Sequence, residues 1–320
     1  MSSATKHGTH PLFRLFDVVE PGDLAKVLNP VEVGKIFVEF AAGKHRTDGG
    51  SDPDERDPAF VEALVDWARY IGEKYFRYDL RGLERIPKTG PALIVGNHSG
   101  GLVTVDAFFV WVAVWDAGGP DRAVYALGHD VVYDVPALRK YAGRMGVLRA
   151  GHESARRAFE RGHLVLVYPG SDYDSFRPFG ERNRVVLAGR TGFVKLALRN
   201  RVPVIPLASV GMHESLIVLT RGTRLGKALG LHRLIRSNVL PIALGIPWGL
   251  FSPYLPQFPL PAQVTMEFGE PLRWDFPPGA ENDPEIVGRC YREVEAALQR
   301  GVDTLAEGRT LFLGQPGRRT

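Results

Sequence analysis

ALIVGNHSGGLVTVDAFFVWVAVW, residues 92–115, decides the fold class and raises the functional question. Its opening, ALIVGN at 92–97, is a short apolar run that reads as a buried strand. Its close, DAFFVWVAVW at 106–115, reads as a buried helix. The turn between them puts His98 at the strand's carboxyl end. Gly100 and Gly101 let the backbone turn sharply and approach a ligand closely. Thr104 can cap the helix, which places Asp106 in its first turn. Backbone N–H groups at such a helix start can face an anion or a developing oxyanion.

Outward from this unit, strands and helices alternate. Towards the N-terminus, FVEALVDWARYIGEKYF carries Phe60, Leu64, Trp67 and Ile71 at helical spacing, and YDLRGLE at 78–84 reads as a strand. Downstream, AVYALG (123–128), LVLVYPG (164–170), VPVIPLASVG (202–211) and QVTMEFGEPL (263–272) read as strands. VPALRKYAGRMG, HESARRAFER and GFVKLALRN read as helices between them, and DPEIVGRCYREVEAALQRG as a late helix capped by Asp283. This alternation argues an α/β fold, a layered mixed, mainly parallel sheet flanked by helices. Chemistry in such sheets collects beyond the carboxyl ends of strands. Residues 1–57 are expected to be a leader, with a weak helix near 30–42, and a polar linker. Residues 58–312 are expected to form the domain and 313–320 a flexible tail.

The chain has 320 residues, 44% of them hydrophobic, so it can bury a full core without disulfides. Its one cysteine, Cys290, excludes an internal disulfide and a Cys-based zinc cluster. A net charge of +4 suits anionic lipid or a phosphorylated ligand and is too small to argue nucleic acid. No His-Glu-x-x-His occurs, so no metal is expected. Neither a secretory h-region nor a continuous spanning helix is expected. The uncharged run 238–261 is broken by prolines at 241, 247, 253, 256, 259 and 261.

The chemistry that suits His98 is proton removal from a hydroxyl, because a neutral imidazole near pH 7 is the usual general base. A carboxylate nearby would fix its tautomer and stabilise the imidazolium. The alcohol would then attack an activated acyl group such as a thioester. The bland alternative is a loop histidine with a first-turn aspartate favoured by the helix dipole alone. Ser99 adjoins His98, but Gly96-Asn97-His98-Ser99-Gly100 is not a Gly-x-Ser-x-Gly elbow, which makes a serine hydrolase the minor reading.

NHSGGLVTVD resembles the His/Asp block of the glycerolipid and lysophospholipid acyltransferases. The resemblance implies His98 as general base and Asp106 as its orienting partner. The family's usual spacing is four intervening residues, and here there are seven. GVLRAG at 146–151 resembles the second block, which implies Arg149 at the acceptor site. LVLVYPGSDYDSFRP at 164–178 resembles the third, but its Glu and Arg are absent; Arg177 or Arg190 could replace the phosphate-binding Arg. VPVIPLA at 202–208 resembles the fourth. GRTGFVKLALRNRVPVIPLASVG at 189–211 is similar to a block of the mono- and diacylglycerol acyltransferase branch. The resemblance covers roughly 78–275.

These readings give His98 and Asp106 as catalytic candidates. Asn97, Ser99, Gly100, Gly101, Arg149, Pro169, Gly170, Ser171, Asp172 and Arg190 are substrate-binding candidates. Arg190 either binds phosphate or pairs with Asp172 or Glu181, and His213-Glu214 either lines the pocket or forms a polar loop pair. The expected partners are acyl-CoA or acyl carrier protein as donor, a lipid acceptor and a membrane surface, with no resident cofactor and no nucleic acid. The expected place is the cytoplasmic face of a membrane, peripherally bound. Arg221, Arg224, Lys227, Arg233 and Arg236, beside the aromatic run containing Trp248, Phe251 and Tyr254, are read as the docking surface. A lipid or ester hydrolase, or an inactive lipid-binding protein, are the alternatives.

Overall fold

The computed structural model describes residues 10–23, 29, 52–98, 100–101, 105–129, 131–134, 136–231, 239–255 and 257–315. The expected helix at 30–42, Ser99, Thr104, Arg233 and Arg236 lie outside them. A capped helix, α1 (Pro58–Ile71), begins the α/β alternation. The Asp57 carboxylate accepts the Ala59 and Phe60 N–H groups, and Pro58 occupies the first turn, where its missing N–H costs nothing. A π turn, Gly72–Phe76, closes it. Strand β1 (Asp79–Arg81) and then β2 (Ala92–Gly96) follow.

All five residues of β2 are buried, as its unbroken apolar run requires. Helix α2 (Val105–Gly118) returns over the sheet to β3 (Val124–Gly128). Helix α3 (Pro136–Met145), β4 (Val147–Arg149), helix α4 (His152–Glu160) and β5 (Leu164–Val167) continue the pattern. Helix α5 (Ser171–Ser175), helix α6 (Gly192–Asn200) and β6 (Val204–Val210) come next. Three short strands, β7 (Ile217–Thr220), β8 (Ile242–Gly245) and β9 (Gly249–Phe251), enclose helix α7 (Thr223–Ala228) in the sequence. Strand β10 (Thr265–Phe268) and helix α8 (Pro284–Ala306) end the fold. Asp283 caps α8 as expected, accepting the Glu285 and Ile286 N–H groups.

The main sheet has seven strands in the order β1-β10-β6-β2-β5-β3-β4. Every pair is parallel except β10 with β6. Alternation along β2 sends Leu93 and Val95 to one face and Ala92 and Ile94 to the other. The first pair packs with residues of α4, α6 and α8, the second with residues of α1 and α2. Burying each such Leu or Ile stabilises the fold by about 1.5–3 kcal/mol. The layered α/β reading therefore holds.

One expectation changes. Residues 10–23 and 52–57 are packed on the domain rather than forming a loose leader and linker. Arg14 pairs with Asp66, Lys140 lies 2.6 Å from Glu20, and the Tyr125 hydroxyl donates to the buried Pro53 carbonyl at 3.1 Å. The proline-broken run 238–261 holds the short strands β8 and β9, which sequence reading did not anticipate. They pair antiparallel with β7 as a separate three-stranded sheet. No helix of the described residues is long and apolar enough to cross a membrane.

Candidate active site

β5, β2 and β6 are adjacent and parallel, so the residues beyond their carboxyl ends meet at one edge of the sheet. His98 follows β2, Tyr168 follows β5 and His213 follows β6. Gly96 makes room for Tyr168: a Cβ there would lie 2.4 Å from its Cε1. The Tyr168 ring stacks on the His98 imidazole with centroids 4.6 Å apart and planes 24° apart. Gly100 and Gly101 have φ of 86° and 87°, the left-handed region that favours glycine. Cβ atoms there would come within 2.7 Å of Met212 Cε and 2.6 Å of Leu216 Cδ2. The backbone conformation thus favours glycine in this turn, against which the Met212 and Leu216 side chains pack.

Helix α5 secures the same turn. The His98 backbone N–H donates to Asp174 Oδ2, and the Ser175 hydroxyl donates to the Gly101 carbonyl. Asp174 Oδ1 also accepts the Val186 N–H at 3.1 Å and pairs with Arg177, both side chains being buried. Burial pushes the Asp174 carboxyl up to about 6, against the opposing pull of Arg177 and its hydrogen bonds. Burial, and then the Arg177 charge, push His98 down to about 3, so its ring is neutral at pH 7. His98 Nδ1 is buried with no hydrogen-bond partner. The orienting bond from Asp106 to that atom is therefore not made in this structure. Asp106 is fully buried in the first turn of α2. Its charge, after burial, raises the Tyr168 phenol well above its ordinary value, which sets it near the ring that stacks on His98.

The other expected residues divide. Both ends of the Asn97 carboxamide bond the Ser209 backbone, at 2.9 and 2.8 Å, so this side chain braces β2 against β6 rather than lining the site. Pro169 and Gly170 follow β5, and Ser171 and Asp172 open α5, with Ser171 at φ 46°. The Ser171 N–H donates to the Tyr168 carbonyl at 3.2 Å, so it is engaged within the loop. Arg190 reaches the Pro169 and Gly170 carbonyls and pairs with Asp172 at 3.0 Å, the pairing alternative for this residue. Arg149 ends β4 at the same sheet edge, its guanidinium 4.6 Å from the Tyr133 ring centroid. Glu214 is buried on Arg309 at 2.8 Å and accepts the Phe312 N–H, which makes it a clamp on the C-terminal segment. His213 is buried, and neither ring nitrogen has a hydrogen-bond partner.

An apolar cleft of about 440 Å³ is lined among others by Trp67, Ile71, Tyr75, Phe76, Val105 and Pro259. Val105 precedes Asp106 in the first turn of α2. Sequence reasoning did not single out Tyr168, Asp174 or Arg177 in these roles.

The mainly parallel sheet, with a glycine turn and a histidine at its carboxyl edge, defines a layered α/β protein whose candidate site lies beyond its strand ends. The family model described as Acyltransferase matches residues 77–210. This chain belongs to the glycerolipid acyltransferase superfamily. An uncharacterized protein of Mycobacterium tuberculosis is 31% identical over 297 residues, 92% of this chain and 78% of that protein. The human DGAT1/2-independent enzyme synthesizing storage lipids is 26% identical over 190 residues, 59% of this chain and 56% of that enzyme. The crystal structure of the 1-acyl-sn-glycerophosphate acyltransferase of Thermotoga maritima shares the fold. Its TM-score is 0.50 at 16% identity, covering 89% of this chain and 98% of that one. The protein is an acyltransferase of glycerolipid type.

Proposed function

We propose that the protein moves a fatty acyl group from acyl-CoA, or from acyl carrier protein, to the hydroxyl of a neutral glycerolipid such as mono- or diacylglycerol. One observation carries this reading: a neutral imidazole stands at the carboxyl end of β2, in a glycine turn. His98 takes the acceptor's hydroxyl proton as the oxygen attacks the thioester carbonyl. Backbone N–H groups at Gly100 and Gly101 stabilise the tetrahedral oxyanion. Collapse breaks the C–S bond, leaves the C–O ester and returns the proton to the departing thiolate. Asp106 supports the imidazolium; catalytic hydrogen bonds that are open in an empty site tighten when substrate fills it. The cleft ending at Val105 takes a lipid tail.

A neutral acceptor is favoured because the arginines nearest the third block are engaged, Arg177 by Asp174 and Arg190 by Asp172. The human relative, named for storage-lipid synthesis, supports the same class. The working place is the cytoplasmic face of a membrane, with no resident cofactor and no nucleic-acid partner. Release of CoA from a labelled long-chain acyl-CoA tests the acceptor. Monoacylglycerol or diacylglycerol is expected to stimulate release at least tenfold over lysophosphatidic acid. A preference for lysophosphatidic acid would overturn the neutral assignment, and equal release into water would indicate a hydrolase.

A further inference from the structure

The three-stranded sheet β7-β8-β9 has one face too apolar for water. Val218, Ala243 and Phe251 are paired in register and, with Leu216, form a small buried cluster. The residues between them point the other way. Leu244 and Leu250 face each other across β8 and β9, exposed at 41% and 65%. An antiparallel sheet with one solvated face ordinarily carries polar residues there. Leu219, Ile246, Trp248 and Phe258, on or beside these strands, are exposed as well, with Ile246 bridged to Phe258, and so are Leu225 and Leu229 of the α7 region. Exposed apolar surface of this kind marks an interaction site.

The charge around it identifies the partner. From Ser215 to Met266 the sequence holds five Lys or Arg and no Asp or Glu. Arg224 and Lys227 on α7 are exposed. Arg221, expected among the docking residues, instead turns inward, donating to the Tyr173 carbonyl and pairing with Glu181 at 3.1 Å. A second copy docked symmetrically would bring like charges together. Anionic headgroups meet both the charge and the apolar face.

The surface is also tied to the site. Leu216, at the start of β7, packs on Gly101, with Gln257 beside it. Phe258 leads directly into Pro259, which lines the apolar cleft. We infer that the outer face of β7-β8-β9, with α7, is the surface on which the protein docks to an anionic lipid leaflet, next to the mouth of its lipid cleft. This deepens the proposed function, since it supplies the route by which a lipid acceptor leaves the bilayer.

The test is sedimentation of the full chain with phosphatidylcholine vesicles, with and without 30% phosphatidylglycerol as the probe composition. Wild type is expected to bind the anionic vesicles about tenfold or more tightly than the neutral ones, and to release as salt rises. Leu244→Glu/Leu250→Glu is expected to abolish binding. Arg224→Glu/Lys227→Glu is expected to remove the anionic preference. Unchanged binding in either variant would overturn the inference, as would a wild type that ignores vesicles and forms a dimer these variants dissociate. Vesicle binding needs no acyl donor, so it is scored apart from catalysis. Both variants are expected to transfer acyl groups to detergent-dispersed acceptor at the wild-type rate. If wild type transfers nothing but still binds vesicles, the catalytic reading fails and the docking surface stands.

Discussion

His98 is held by its backbone as well as by its ring. Its N–H is fixed by Asp174 and its imidazole by the face of Tyr168. Tyr168→Phe keeps the stack and is expected to retain most activity, whereas Tyr168→Ala frees the ring and should lower kcat more than KM changes; steady-state kinetics separate the two. Titration gives a second prediction. In the unfolded chain an imidazole takes a proton near pH 6.5, but folded His98 and His213 resist it, so the unfolded state binds more protons as pH falls and stability declines below about 6.5. His213 resists through burial and then through Arg177, His98 and Arg221. Asp174, raised to about 6, acts oppositely between its unfolded value of 3.8 and 6, but it is common to wild type and variant. His213→Leu should therefore lose less stability than wild type between pH 7 and 5, read as urea midpoints; identical losses would refute the assignment. The placement of His98 after β2 and of Asp106 in the first turn of α2 was legible because a polar His-Ser-Gly-Gly turn is set between two apolar runs; the distance between the two side chains was not. The Tyr168 stack was not, because it depends on two parallel strands lying side by side with a glycine between the rings' neighbours.

At the scale of elements, α5 is the brace. Asp174→Asn keeps the shape but leaves the Arg177 guanidinium buried without its counter-charge. Removing one partner of such a pair costs about 3–5 kcal/mol, so a clear drop in the unfolding midpoint is expected. Gly100→Ala places a methyl in a left-handed turn, against Met212, and should impair activity. Acyl transfer by a folded Gly100→Ala protein at the wild-type rate would contradict this role for the turn. Most main-sheet strands and their helices could be read from apolar runs and helical spacing. The β7-β8-β9 sheet could not. Its strands are three or four residues long, prolines stand immediately beside them at 241 and 247, and an apolar outer face removes the alternation by which a half-exposed strand is recognised. Residues 52–57 misled for the converse reason: their composition is polar, yet the Asp57 cap and the Pro53 carbonyl fix them to the domain.

Across the whole molecule, the proposed docking face and the apolar cleft adjoin along the chain at Phe258 and Pro259, and Val105 of the cleft wall precedes the buried Asp106. A bulky residue in the cleft wall, such as Ile71→Trp, should shorten the preferred acyl or acceptor chain while leaving the fold intact, as read by product analysis over a chain-length series. The role proposed for His98 in acyl transfer to a lipid hydroxyl is tested most directly by the turnover of labelled acyl-CoA with the best acceptor, comparing wild type with His98→Ala of unchanged unfolding midpoint. Loss of a general base should lower acceptor-dependent turnover by about 10²–10⁴-fold. Equal turnover in the two proteins would mean that the histidine turn is structural and that the chemistry resides elsewhere.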